Sequence, residues 1–305
     1  MVLSCSNTDE NMEIKLQSAV EYLMTYGWAI LIIAVVLGAL FSLGIFNSFS
    51  LAPKASPGAC SVSRPNGPGS TSFVNTVGTC DNIPEYTMLV KGNGYVYIQN
   101  ISQMVSPYNT ITISGWFYNL QGSGTETGFV AGNTAINQGY IYFSNGGACG
   151  NGEVAVGIGN TYACTAPGSL SFVNNWIFVV ATYNGMDLSG WVCSSGVCTA
   201  SDTVTPSFAM NNYGYLYIGS DPSNPQNGWQ GYISNIEVYN TSFSLNDTLA
   251  LYHEGIGGAP IALRWLQGWW PLNDNPNDYS GNDNTGTATN VIYITNWESN
   301  YANPG

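Results

Sequence analysis

The sequence is poor in charge of either sign. Only 8% of its 305 residues are ionic, about a third of the roughly 25% usual in a soluble domain. Five Lys plus Arg stand against 18 Asp plus Glu, a net charge of −13. So few cations cannot neutralise a phosphate backbone, which excludes nucleic-acid binding and disfavours anionic lipids and polyanions. A single histidine, His253, lies far in sequence from every cysteine, and no CxxC spacing occurs. A zinc site is excluded on ligand spacing, and little remains for a catalytic triad or phosphoryl transfer.

What is present is apolar and aromatic. With 45% hydrophobic residues and 13% aromatics, the chain has ample material for a core and is not a disordered tail. Thirty-six glycines, 20 tyrosines and abundant Asn, Ser and Thr make a polar but non-ionic surface, as suits an extracellular β protein.

From Tyr22 to Phe49 the chain runs for 28 positions without a charge. As a helix this would span about 40 Å, more than a bilayer core requires. It is about twice the length of the apolar region of a secretory signal peptide. Ala34, Gly38 and Ser42 recur at four-residue spacing, a small-residue stripe that lets helices approach closely. On the flank, EIKLQSAVEYLMTYGWAILII places Lys15 and Gln17 before the run and Glu21 at its edge. This resembles the class III signal peptide of archaeal type IV pilin-like proteins. The resemblance implies cleavage of a leader, residues 1–16, between Leu16 and Gln17, with Lys15 in the processing motif. It also implies a retained helix over residues 17–50, in the membrane or in a homo-oligomeric filament. Glu21 becomes the fifth mature residue. A carboxylate at the end of an apolar helix is costly unless paired, and a neighbouring subunit's amino terminus is the expected partner. The alternative places Glu21 at the headgroup level, complementing the helix dipole.

After Phe49 the text changes to SLAPKASPGACSVSRPNGPGSTS, so residues 51–80 are expected to be a turn-rich connector. Six cysteines lie beyond the helix, Cys60, Cys80, Cys149, Cys164, Cys193 and Cys198. An even number outside the membrane fits a disulfide framework in an oxidising compartment. Nearest-neighbour pairing is expected, best supported for Cys193 with Cys198 across the hairpin-like GWVCSSGVCTA.

Residues 81–300 are expected to form the large domain. Short strand-like runs recur between Gly and Asn turns, among them YVYIQ at 95, TITISGWFY at 110, GYIYFS at 139, WIFVVATY at 176, YLYIGS at 215 and YISNIEVY at 232. Many alternate polar and apolar residues, and helical patterning is almost lacking, which predicts a β-sandwich. One short helix is expected at Ser244–His253, where Ser244 and Asp247 have capping-box spacing. The ordered set GNGYVYIQN, ITISGWFY, NNWIFVVATYNG, WVCSSGVC, YLYIGS and GWQGYISNIEVYNTSFSLNDTLALYHEG resembles the laminin G-like, concanavalin A-like jelly rolls. The fold expectation is therefore mainly β, an N-terminal hydrophobic α-helix followed by a jelly-roll sandwich. The stretch WWPLNDNPNDYSGNDNTGTATNVIYIT at 269–295 precedes the GYVYI-type strand in that family but follows the helix here. It is expected to supply an edge strand to its own sandwich. The open alternatives are a second repeat or a neighbour's sheet.

The resemblance implies carbohydrate or a neighbouring surface protein as partner, with Trp116, Trp176, Trp191 and Trp229 as stacking candidates or core. Related jelly rolls often carry Ca²⁺, and Asp274, Asp278 and Asp283 lie in an oxygen-rich loop that could hold one or could be ordinary turn chemistry. Family glucanases carry ExDxxE on one strand. Here Glu153 and Glu237 lie on different expected strands with no acidic residue two positions away, so the pair of facing carboxyls that glycoside hydrolysis needs is missing. No enzyme activity is expected. Asn100, Asn240 and Asn246 open glycosylation sequons.

Overall fold

The computed structural model describes residues 26–40, 42, 53–99, 102, 104–107, 109–121, 126–132, 141–145, 149, 153–165, 173–210, 214–223, 225–298 and 300–304. Two compact units emerge, Met1–Ala52 and Pro53–Gly305. In the first, residues 26–40 form helix α1 with Trp28, Ile30 and Leu31 exposed. No helix among the described residues is long and apolar enough to cross a membrane. Lys15, Leu16, Gln17, Glu21 and both ends of the Tyr22–Phe49 run lie outside the described residues.

The second unit carries β1 (Lys54–Ala55), β2 (Cys60–Ser63), β3 (Asn75–Gly78), β4 (Ile83–Pro84), β5 (Thr87–Gln99), β6 (Thr110–Asn119), β7 (Glu126–Gly132), β8 (Ile141–Asn145) and β9 (Val154–Ile158). It continues with β10 (Thr161–Cys164), β11 (Trp176–Asn184), β12 (Leu188–Ser194), β13 (Val197–Ala200), β14 (Tyr215–Gly219), β15 (Gln230–Tyr239), helix α2 (Leu245–Glu254), β16 (Leu266–Trp270) and β17 (Thr287–Ile294). Thirteen strands share one sheet in the order β10-β9-β8-β7-β14-β5-β15-β6-β11-β12-β13, with β16 beside β15 and β17 beside β5.

The sheet curls about β5. Its first half, Met88–Lys91, pairs β15, and its second half, Tyr95–Gln99, pairs β14. The strands beyond β14 form one layer and those beyond β15 the other. One apolar core lies between them, with Met88, Val96, Ile113, Phe117, Phe143 and Trp229 among its members. At the far edge the layers meet, where Asp202 N–H donates to the Cys164 carbonyl at 3.1 Å and Thr165 bridges to Ser201. β16 and β17 complete the chain's own sheet, as expected for the 269–295 segment.

Strand β6 is buried on both faces. Ile111, Ile113 and Phe117 enter the core. On the opposite face Trp116 stacks on Tyr252 of α2 at 5.5 Å and meets Tyr301 at 5.4 Å, and Trp176 meets Trp297 at 5.5 Å. A second aromatic layer therefore covers that side. Helix α2 starts where the capping box predicts, with Ser244 N–H donating to Asp247 Oδ2 at 2.8 Å and Asp247 N–H donating to Ser244 Oγ.

Of residues 51–80, expected to be a connector, 53–80 carry β1 to β3 and belong to the compact unit that begins at Pro53. Two long-range devices order them. Cys60 bonds to Cys80, and the guanidinium of buried Arg64 donates to the carbonyls of Ser280 at 2.9 Å, Leu266 at 2.7 Å, Leu263 at 3.0 Å and Ser70. The other disulfides are Cys149–Cys164 and Cys193–Cys198, so all three follow nearest-neighbour pairing. Cys193 and Cys198 are register partners in the β12–β13 hairpin. Its two-residue turn has Ser195 at φ 50° and Gly196 at φ 80°, the left-handed pair that matches strand twist.

Candidate functional site

Period-two alternation gives each strand of the β5 to β10 layer an outward row. Register links these rows across the sheet. Thr287 of β17 faces Tyr97 of β5, Tyr97 faces Tyr217 of β14, and Tyr217 faces Val130 of β7. Val130 then faces Tyr142 of β8, Tyr142 faces Gly157 of β9, and Gly157 faces Tyr162 of β10. Tyr95 and Tyr215 flank the row. All six tyrosines are half-buried or exposed, whereas the alternate residues Val96, Ile98, Leu216, Ile218, Phe143 and Ala163 are in the core. The result is an aromatic face carrying six phenols, Tyr162 exposed and the other five half-buried.

Packing within the face is close. Tyr97 and Tyr217 have centroids 5.3 Å apart, Tyr215 and Tyr217 5.2 Å, and Tyr95 and Tyr217 5.5 Å. Burial, with further contributions from Tyr215, Tyr97, Tyr95 and Asp221, pushes the Tyr217 phenol up to about 12. It therefore stays neutral at physiological pH. Such rings supply apolar contact area and a hydroxyl handle together, the combination that packs on the C–H face of a sugar while bonding its rim.

The tryptophans singled out from sequence are placed differently. Trp116, Trp176 and Trp229 are buried, and only Trp191 of β12 is half-exposed. Large aromatics serve the two core layers, and tyrosine serves the surface. The signal was present in YVYIQ and YLYIGS, whose alternation puts tyrosines on one face. Register between distant strands was not readable there.

The loop bearing Asp274, Asp278 and Asp283 closes the free edge of β16. Asp278 Oδ1 accepts from the N–H groups of Trp269 at 2.9 Å and Ser280 at 2.8 Å, while Oδ2 accepts from Asn284 N–H at 2.8 Å and Ser280 Oγ at 2.9 Å. Asn282 and Asn284 side-chain amides donate to the Gln267 carbonyl at 3.1 and 2.7 Å. Burial raises the Asp278 pKa despite these donors. Four donors point hydrogens at this carboxylate where a cation would need its lone pairs, so the arrangement does not fit a calcium ligand. Asp274 and Asp283 sit at φ 65° and 60°, the left-handed turn positions that Asp tolerates. Among the described residues, the one cluster of three metal-ligand types is Cys149, Glu153 and Cys164, and its two thiols form a disulfide.

Glu153 precedes β9 and Glu237 lies in β15, in opposite layers. Glu237 is 1% exposed; its Oε2 accepts from the Tyr239 hydroxyl at 2.6 Å and its Oε1 has no partner. A small pocket of about 40 Å³ is lined by Ala55, Asn82, Asn235, Trp269 and Asn273. Two of its polar side chains are already committed, since Asn235 Oδ1 accepts from Trp269 Nε1 at 2.6 Å and Asn273 Oδ1 accepts from Tyr86 N–H at 2.8 Å. Of the sequons, Asn246 is exposed on α2, Asn240 is half-buried with its Oδ1 enclosed, and Asn100 lies outside the described residues.

Residues 90–247 match the family model described as the concanavalin A-like lectin/glucanases superfamily. No protein of curated function matches the chain. Among solved structures, a Bacteroides ovatus ATCC 8483 protein provisionally described as carbohydrate binding aligns at TM-score 0.51 and 14% identity, over 73% of this chain and 64% of that one. A heptameric SAP-like pentraxin from Limulus polyphemus aligns at 0.47 and 13%, over 72% and 98% of the two chains. The CBM40 module of a Ruminococcus gnavus sialidase, bound to α2,3-sialyllactose, aligns at 0.42 and 13%, over 59% and 100%. At these identities the likeness is one of fold.

Proposed function

The chain belongs to the concanavalin A-like lectin/glucanases superfamily, and from that premise we propose that it is a non-enzymatic, glycan-binding protein of the cell surface. The observation that carries this reading is the outward face of six tyrosines on the β5 to β10 layer. Glu237 has Tyr239 as its partner rather than a second carboxyl, which supports binding without hydrolysis. Three disulfides fit an oxidising exterior. A glycan array with the full-length chain tests the reading: retention of at least one glycan class is expected, and an array without signal overturns it. Hydrolysis of polysaccharide substrates overturns the non-enzymatic part.

At the other end of the chain, the apolar run and its flank support a retained pilin-like helix. In this reading the leader is removed before Gln17, and Glu21 pairs with a neighbour's amino terminus in a filament that displays the β domain. The second reading is a single membrane-anchored lectin-like protein, favoured by the same apolar run without processing. N-terminal sequencing of surface-sheared material separates them, since a chain beginning at Gln17 is expected of the filament. Full-length protein confined to membranes is expected of the anchor.

A further inference from the structure

We propose that the Lys54 amine condenses with the Glu298 side-chain carboxyl, so that an intramolecular amide closes the β unit from its first strand to its C-terminal segment. The bond is independent of what the tyrosine face binds.

Placement is the first argument. Lys54 opens β1 at the start of the compact unit that begins at Pro53, and Glu298 follows β17 near the end of the chain. Lys54 Nζ lies against Glu298 Oε1. That oxygen is enclosed and accepts no hydrogen bond among the described residues, so the contact lacks the geometry of an ordinary hydrogen-bonded ion pair. Both partners are held by the same short strand. Lys54 is the register partner of Ile83 in β4, while Trp297, 1% exposed and adjacent to Glu298, donates from Nε1 to the Pro84 carbonyl at 3.1 Å. The Glu298 carbonyl accepts from Tyr301 N–H at 3.0 Å, which fixes the backbone on the other side.

Chemistry is the second. Burial lowers the Lys54 pKa, and the neighbouring Glu85 carboxylate opposes that shift. A desolvated lysine reaches its neutral, nucleophilic form more readily than one in water. Glu85 N–H donates to the Ala55 carbonyl at 3.1 Å, which keeps this second carboxylate beside the amine as the base for its proton. In the step, the Nζ lone pair attacks Cδ of the protonated Glu298 carboxyl. The N–C bond forms, the C–OH bond breaks, and the hydroxyl leaves as water with a proton that began on the amine. An ammonium and a carboxylate together hold the atoms of one amide and one water, so no oxidant, reductant or further reactant enters. A contact fixed by the fold supplies an effective molarity of about 10⁵–10⁸ M, which favours condensation over the separated groups. The product makes residues 54–298 a covalent ring. Tension entering at Pro53 then reaches the C-terminal segment instead of peeling the two-residue strand β1.

The test is mass spectrometry of the full-length chain, denatured and fully reduced. The expected species is lighter than the sequence by one water, about 18 Da, and its digest contains a branched peptide joining Lys54 to Glu298. Lys54→Arg keeps the charge but cannot form this amide, so it should have the full mass, no branched peptide and a lower melting temperature than wild type. Glu85→Gln should slow formation of the light species about a hundredfold, and an unchanged rate takes the proton relay from Glu85. Wild-type protein of full mass means an ion pair only and overturns the inference, whether or not the variants fold. A loss of water without the branched peptide, as a succinimide at an Asp gives, overturns it too.

Discussion

Glu237 is an enclosed carboxyl with one oxygen bonded to Tyr239 and the other unpartnered. Burial raises its pKa from 4.5 to about 8, with the Tyr239 hydrogen bond opposing the shift. The folded state therefore keeps a proton that the unfolded chain releases near pH 4.5. Stability from this group is fully present below about pH 4.5 and is lost progressively as pH rises to about 8. Urea midpoints measured between pH 4.5 and 8 should decline across that window. Glu237→Gln should flatten the decline and raise stability at pH 8 by on the order of 2 kcal/mol. Glu126, Glu254 and Asp278 are shifted in the same direction, so some slope will persist. A variant with the wild-type slope would show that Glu237 ionises freely in the folded protein.

At the scale of elements, the chain manages its sheet edges with side chains. The outer edge of β16 is met by the Asp278, Asn282 and Asn284 loop, which does what another strand would do. Asp278→Ala should therefore cost roughly 2 kcal/mol through stranded N–H donors. Calcium or a chelator should leave the melting temperature of the wild type unchanged; a chelator-induced drop would restore the cation to this loop. Arg64 ties the β2–β3 hairpin to β16 through the Leu266 carbonyl and to the Asp278 loop through the Ser280 carbonyl. Its truncation to Ala strands several buried carbonyls, and a loss of about 3 kcal/mol is expected in a denaturant midpoint. The β2–β3 hairpin escaped the sequence reading because Pro, Gly and Ser announce turns through local backbone preference, whereas the partners that order these turns lie some 200 positions away, as Arg64 does from Leu266.

At the scale of the molecule, a helical unit and a β unit are joined in one chain. If the helix assembles, Glu21→Ala should abolish sheared filaments seen by electron microscopy while the β unit keeps its melting temperature; normal filaments would remove Glu21 from that role. The sequence by itself determined the local features. Alternation marked strands β5, β6, β11, β14 and β15, the Ser244 and Asp247 spacing marked the start of α2, and nearest-neighbour cysteines became the disulfides. Each depends on residues close in the chain, where backbone geometry and short loops leave few options. Only the tertiary structure decided which aromatics are core and which are surface. Trp116 is covered because α2 and the C-terminal segment fold over it, and the half-buried Tyr142 ring lies against Gly157, where a Cβ would collide with it. Long-range register and layer coverage set those outcomes, and a period of two along one strand carries no information about its neighbours.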